Sequence, residues 1–271
     1  MPELPEVETT AQGVRPYVEG RMIRRVIVRE RRLRWPVPRG LTRILSGLKI
    51  LSVSRRAKYI LLDTEKGVLM IHLGMSGRLR VVPASTPPEK HDHLDIVLSS
   101  GKCLRFHDPR RFGSVLWVKG LPDEHPLLAS LGPEPFDPAL DASYLFDLSR
   151  GRTLTIKQFI MDGKVIVGVG NIYASEALFR AGIRPGRAAG RVTRKGFADL
   201  LKAIREVLGE AIEAGGTTLR DYSRVTGEPG YFEQSLNVYE REGLACVNCG
   251  VSIQRKIIGQ RASYYCPQCQ A

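Results

Sequence analysis

The chain begins Met1-Pro2-Glu3-Leu4-Pro5-Glu6-Val7-Glu8, and Pro2 is the residue in it with the greatest chemical reach. A small second residue permits removal of the initiator Met, which leaves a secondary amine on a rigid ring. An unperturbed α-amino group titrates near pH ~8. Part of it is therefore neutral at working pH, and burial or nearby cations enlarge that part. A neutral amine attacks a carbonyl or acetal-like carbon and forms an iminium intermediate. Glu3, one residue on, is positioned to give or take a proton. The octapeptide also reads as a helix start, because Pro5 suits a first turn and Glu6 and Glu8 favour the positive end of the helix dipole.

The second group is Cys246-x2-Cys249-x16-Cys266-x2-Cys269. Four thiolates in two close pairs satisfy tetrahedral zinc with no open position, so the expected metal is one structural Zn2+. In a reducing compartment such clustering argues for metal over disulfides. The intervening Val251–Tyr265 reads as a hairpin turning at Gly259. Arg255, Lys256 and Arg261 are its cations, and Arg261 near the tip suits a bidentate grip on phosphate or a plain solvated turn.

Several smaller signals point to a polyanion. Gly168-Val169-Gly170-Asn171 precedes a helix, where free N–H groups favour an anion. Asn171 suits either a helix cap or a phosphate contact, and Lys157 lies one short connection earlier. Arg105–Gly113 is a cation-rich turn in which Arg110 and Phe112 have the types needed to fill a gap in a base stack. Met75, in the turn His72–Gly77, is a further filler, although a Met and a Phe beside glycines also suit a core or an ordinary turn. Lys58, after Arg55-Arg56-Ala57, fits catalysis, a phosphate clamp or a solvated edge. His91-Asp92-His93 fits phosphate contact or an ordinary turn.

The elements that must position these groups are legible. A helix over about 5–17 carries Val7, Ala11 and Val14 on one face. Eight short β runs follow: Met22–Val28, Leu48–Ser54, Lys58–Asp63, Val68–Leu73, Leu79–Val82, Leu94–Leu98, Cys103–Phe106 and Ser114–Val118. They predict a sandwich or flattened barrel. Five prolines between Gly120 and Ala142 mark a linker. Helices are expected over 142–148, 152–161, 172–181 and 193–214, the last with a long apolar stripe. The polar segment Thr217–Gly230 reads as a recognition loop. Cys103 reads as an inert core thiol.

Composition sets the partner class. Lys plus Arg number 41 against 28 Asp plus Glu, a formal charge of +13 with 43% hydrophobic residues. That describes a folded protein with a polyanionic partner, nucleic acid first. With no long apolar run and no leader pattern, the expected location is cytosol or nucleoid, without a membrane partner.

Together these motifs are similar to the bacterial formamidopyrimidine-DNA glycosylase family, through Met1–Glu8, Arg55–Lys58, His72–Gly77, His91–His93, Asp108–Gly113, Gly168–Glu176, Gly215–Tyr222, Gly230–Phe232 and the cysteine module. Leu4 matches the oxidised-purine branch, where the sister branch for oxidised pyrimidines has Gly. The resemblance implies an α+β fold: an N-terminal β-sandwich with an N-terminal helix, a helical helix–two-turns–helix domain and a zinc-finger β-hairpin. It implies domains over 1–130, 151–235 and 236–271 with a linker over 131–150. The implied partner is damaged duplex DNA, met by a monomer without a small-molecule cofactor. Pro2 is then the nucleophile, Glu3 protonates the opening sugar, and Lys58 contacts phosphate near the lesion. Lys157, Asn171 and Arg261 hold phosphates, His91 and His93 add a strand contact, and Met75, Arg110 and Phe112 fill the vacated space. The loop Thr217–Gly230 covers the extruded base. The chain departs from the family pattern at His107 (usually Asn), Glu240 (usually Gly), Ala245 (usually Pro) and Asp162-Gly163-Lys164, which lacks a Gln.

Overall fold

A computed structural model describes residues 2–215 and 236–271. The expected loop Thr217–Gly230 lies outside the described residues. The described chain forms two compact units, residues 2–129 with 214–215 and residues 130–213 with 236–271.

The first unit starts with α1 (Leu4–Val18). Its buried face is Leu4, Val7, Ala11, Val14 and Val18, the i, i+3/i+4 spacing of an amphipathic helix. Eight strands follow: β1 (Ile23–Val28), β2 (Ile50–Arg56), β3 (Tyr59–Thr64), β4 (Gly67–His72), β5 (Arg78–Pro83), β6 (Asp92–Leu98), β7 (Lys102–His107) and β8 (Ser114–Val118). They form two antiparallel sheets, in the orders β1-β6-β7-β5 and β2-β3-β4-β8. Ile23, Val26, Ile96, Leu104 and Phe106 of one sheet share a core with Val53, Ile60, Leu62, Leu69 and Ile71 of the other, and α1 joins it through Val7, Ala11 and Val14. The eight expected strands are all present, with ends that agree to within two residues. A short helix not foreseen, α2 (Leu41–Leu45), buries its two terminal leucines in the same core. Cys103 is buried on β7. Burial, then the neighbouring Asp95, pushes its thiol up to about 12.

The second unit contains α3 (Ala142–Ser149), α4 (Ile156–Met161), α5 (Asn171–Arg180), α6 (Arg194–Glu213) and the hairpin β9 (Gln254–Ile258) with β10 (Arg261–Tyr265). Helix α4 starts four residues later than the periodicity suggested, because the Thr155 hydroxyl accepts from the Gln158 N–H and caps it there. Residues 135–140, within the proline-rich stretch, are held to α6. The Arg205 guanidinium donates to the carbonyls of Pro135, Asp137 and Leu140 at 2.7–3.0 Å.

Candidate nucleic-acid interface

In the first unit, Pro2 is buried immediately before α1, and Glu3 is its N-cap, 3% exposed. The Glu6 carboxylate accepts from the Glu3 N–H at 2.7 Å, closing a capping box. The two readings of the octapeptide are thus one structure: the helix start fixes the backbone that carries Pro2 and Glu3.

Lys58 sits on the two-residue turn between β2 and β3, after Ala57 at φ 52°. Arg55 braces that turn. Its Nε donates to Glu8 Oε2 at 2.7 Å and its Nη1 to the Ala57 carbonyl at 2.9 Å. Helix α1 and the Lys58 turn are therefore tied by one guanidinium. His72, whose ring lies 4.8 Å from that of Tyr59, accepts the Gly74 N–H at Nδ1. Burial, then the charges of Lys58 and Arg34, lowers its pKa to about 4. It is a neutral acceptor.

The gap-filling candidates lie on two adjoining turns. Arg110 is exposed, and its guanidinium stands 4.9 Å over the ring of Phe112, itself 44% exposed. Its exposure takes Phe112 out of the core and leaves the turn and gap-filling readings both standing. Met75 is half-buried on the other turn. That turn presses on the first: a Cβ on Gly74 (φ 67°) would lie 2.4 Å from the Phe112 carbonyl carbon. Only glycine fits there.

The histidine turn is less open than expected. His93 is buried and donates from Nε2 to the Asp108 carbonyl at 2.7 Å. His91 is half-buried, edge-on to His93 and His107. His107 donates from Nδ1 to Asp92 at 2.9 Å. Burial alone would raise the Asp92 carboxyl, yet the Glu89 N–H, His107 and Arg80 hold it below its usual range. Glu89, Asp92 and His107 lie close enough to share a cation. Arg80 at 2.9 Å and Arg105 at 3.5 Å already neutralise Asp92, which opposes a metal there.

In the second unit, Gly168 turns the chain at φ 84° and Gly170 is the N-cap of α5. Asn171 is thus the first helical residue, not the cap. Its side chain faces the hairpin, donating from Nδ2 to the Ala262 carbonyl at 3.1 Å. Lys157 is 1% exposed, and its ammonium donates to Asn171 Oδ1 (2.7 Å), Ser263 Oγ (2.7 Å) and the Ala262 carbonyl (3.0 Å). It crosslinks α4, α5 and β10. Arg261 is exposed beside the hairpin turn Gly259-Gln260, which has φ 55° and 61°. Lys157 and Arg261 line one open depression of about 240 Å³.

Glu176 of α5 was not singled out from sequence. It is 2% exposed and accepts the backbone N–H groups of Asn237, Val238 and Tyr239 at 2.8–2.9 Å. The signal available was a glutamate at a core-facing helical position, which demands partners. The four cysteine sulfurs lie within 4.8 Å of one another, with Cys246–Cys269 at 3.9 Å and Cys249–Cys266 at 3.5 Å. Tetrahedral zinc with bonds of ~2.3 Å spaces its sulfurs by ~3.8 Å, so the set fits that metal.

Three family models match the chain: the formamidopyrimidine-DNA glycosylase N-terminal domain over residues 1–115, the formamidopyrimidine-DNA glycosylase H2TH domain over 131–223, and the zinc finger found in FPG and IleRS over 243–271. The formamidopyrimidine-DNA glycosylase of Syntrophotalea carbinolica is 58% identical over 270 residues, covering the whole of both chains. That of Thioalkalivibrio sulfidiphilus is 59% identical over the same span. Among solved structures, the MutM (Fpg) protein of Thermus thermophilus aligns with TM-score 0.88 at 41% identity, covering 99% of this chain and 98% of that one. Lactococcus lactis Fpg in complex with DNA containing an abasic site aligns at 0.92 and 31% identity, covering 99% of each. The sandwich, the helical H2TH domain and the zinc hairpin are the expected architecture, and Cys246, Cys249, Cys266 and Cys269 form a site for one structural zinc ion.

Proposed function

Because this chain belongs to the formamidopyrimidine-DNA glycosylase family, we propose that it is a bifunctional DNA glycosylase and abasic-site lyase excising oxidised purines, 8-oxoguanine and formamidopyrimidines, from duplex DNA. The observation that carries this reading is the Pro2–Glu3 pair, buried at the start of a capped helix that Arg55 braces to the Lys58 turn.

With Met1 removed, the Pro2 nitrogen attacks C1′ of the damaged nucleotide, and the base leaves with the C1′–N bond pair. Glu3 protonates the sugar ring oxygen as the ring opens, leaving an iminium between Pro2 and C1′. The iminium acidifies the C2′ proton, and its loss expels the 3′ phosphate; a second elimination expels the 5′ phosphate. Lys58 holds a phosphate near the lesion. Arg110, Phe112 and Met75 take the space of the extruded base, and the exposure of Arg110 and Phe112 and the adjacency of the two turns support this. His91 contacts the strand, with His93 behind it. Asn171 and Arg261 meet phosphates, and Lys157 supplies charge from beneath them. The loop Thr217–Gly230 covers the base.

The proposed working parts are a catalytic domain over 1–130, a linker over 131–150, a helical domain over 151–235 and the zinc finger over 236–271. The working form is a monomer in the bacterial cytoplasm. No helix among the described residues is long and apolar enough to cross a membrane.

The deciding experiment is borohydride reduction on an 8-oxoguanine duplex, followed by mass analysis of the trapped peptide. A covalent adduct on Pro2 is expected. No adduct from Met-processed protein, or one on a lysine, overturns the mechanism. Faster release of thymine glycol than of 8-oxoguanine overturns the substrate class.

A further inference from the structure

Beneath the Arg110–Phe112 turn lies a carboxylate with no part in the chemistry above. Asp108 is 0% exposed. Its Oδ1 accepts from the Ser76 hydroxyl at 2.7 Å, and its Oδ2 accepts from the Gly113 N–H at 2.8 Å. Its carbonyl accepts from His93 Nε2 at 2.7 Å, and its own N–H donates to the His91 carbonyl at 3.0 Å. Ser76 Oγ in turn accepts from the Arg110 N–H at 3.3 Å. One residue thereby touches three turns, which carry Met75, His91 with His93, and Arg110 with Phe112.

Sterics close the same joint. A Cβ on Gly113 would lie 2.7 Å from the His72 carbonyl oxygen and 3.1 Å from Asp108 Oδ2. The joint therefore tolerates neither a side chain at Gly74 or Gly113 nor slack between the turns. A charged carboxylate taken from water is stable only with its acceptor positions filled. Here the donors come from segments more than thirty residues apart in sequence, so filling them fixes the turns against one another.

We infer that Asp108 and Ser76 are positioning residues that lock the Met75 turn to the Arg110–Phe112 turn, so that both enter the duplex as one rigid wedge. The inference rests on the proposal that these side chains fill the space of the extruded base. Neither Asp108 nor Ser76 touches the reacting sugar in this scheme. Their effect is confined to steps that require opening of the stack.

The test compares two substrates. An 8-oxoguanine duplex requires the wedge, whereas a preformed abasic site in single-stranded DNA has no partner strand to part. Ser76→Ala removes one hydroxyl with little threat to folding. It is expected to lower single-turnover base release from duplex by about tenfold, the scale of one lost positioning hydrogen bond. Cleavage of the single-stranded abasic site should stay within about twofold of the parent. A 2-aminopurine beside the lesion should show reduced unstacking. Ser76→Thr, which keeps the hydroxyl, should restore most of the duplex rate, and Asp108→Asn should resemble Ser76→Ala. Equal losses on both substrates, or no loss on either, overturn the inference while the parent enzyme still cleaves. A parent protein that fails to cleave the single-stranded abasic site overturns the lyase reading instead. An intact duplex rate in Phe112→Ala and Arg110→Ala overturns the wedge on which the inference stands.

Discussion

Arg55 Nε and Glu8 Oε2 lie 2.7 Å apart, and this ion pair joins the helix capped by Glu3 to the turn that presents Lys58. Both side chains are largely withdrawn from water, at 10% and 20% exposure. Removing one partner strands a partly buried charge. Arg55→Met should therefore destabilise the first unit by about 1–3 kcal/mol, read by urea denaturation. It should also slow borohydride trapping more than it weakens DNA binding, because it loosens the mount of the amine and the single phosphate contact of Lys58, while Asn171 and Arg261 keep theirs. Arg55→Met that binds weakly but traps at the parental rate once bound would contradict this.

His72 provides a pH prediction. Its folded pKa is about 4, below the ordinary 6.5. Between those values the unfolded chain binds the additional proton, so stability rises with pH across that window and falls as pH drops through it. The contribution reaches up to about 3 kcal/mol. His72→Gln, which keeps an acceptor for the Gly74 N–H, should flatten the stability–pH curve between about pH 4 and 6.5. An unchanged slope in chemical denaturation would show that His72 titrates normally.

Lys157 and Arg261 line one depression but should behave differently. Exposed Arg261→Ala should weaken DNA binding and reduce the log-affinity against log-salt slope by about one. Lys157→Met leaves Asn171 Oδ1, Ser263 Oγ and the Ala262 carbonyl short of a donor, and should cost about 2 kcal/mol or more in stability. Its salt slope should change less than that of Arg261→Ala. A drop of one in the Lys157→Met slope, with stability intact, would mean that its ammonium meets phosphate directly.

Metal removal tests the hairpin. Phe179, Val238 and Ile253 pack with the zinc cysteines into a small satellite core, too few side chains to hold a fold unaided. Cys249→Ser should lose the bound zinc, measured by atomic absorption, together with DNA affinity. Because metal binding is folding energy in such modules, the hairpin amides should also exchange rapidly. A zinc-free protein with full affinity would refute the structural role.

The sheets were readable because short β-rich runs are separated by turn residues, and the zinc site because two close cysteine pairs leave little choice. Helix α2 was not, since Leu41, Ile44 and Leu45 give only one helical repeat in five residues, too short to stand out in an Arg- and Pro-rich stretch. The partners of buried acids were also hidden. Glu176 binds N–H groups more than sixty positions away, and backbone donors carry no residue-type signature. Lys157 shows the converse. Its type and position suggested a ligand contact, yet burial turned its ammonium onto three protein oxygens. A sequence names a donor but not the direction in which it points.

Cys103 has a consequence for survival under oxidative stress. Peroxides attack thiolates, not thiols. With its thiol pushed up to about 12 inside β7, Cys103 presents almost no thiolate at neutral pH. The remaining four of the five cysteines are the zinc ligands. Thiol redox sensitivity in this chain is therefore concentrated in the hairpin, where peroxide would release zinc and loosen the fold around it.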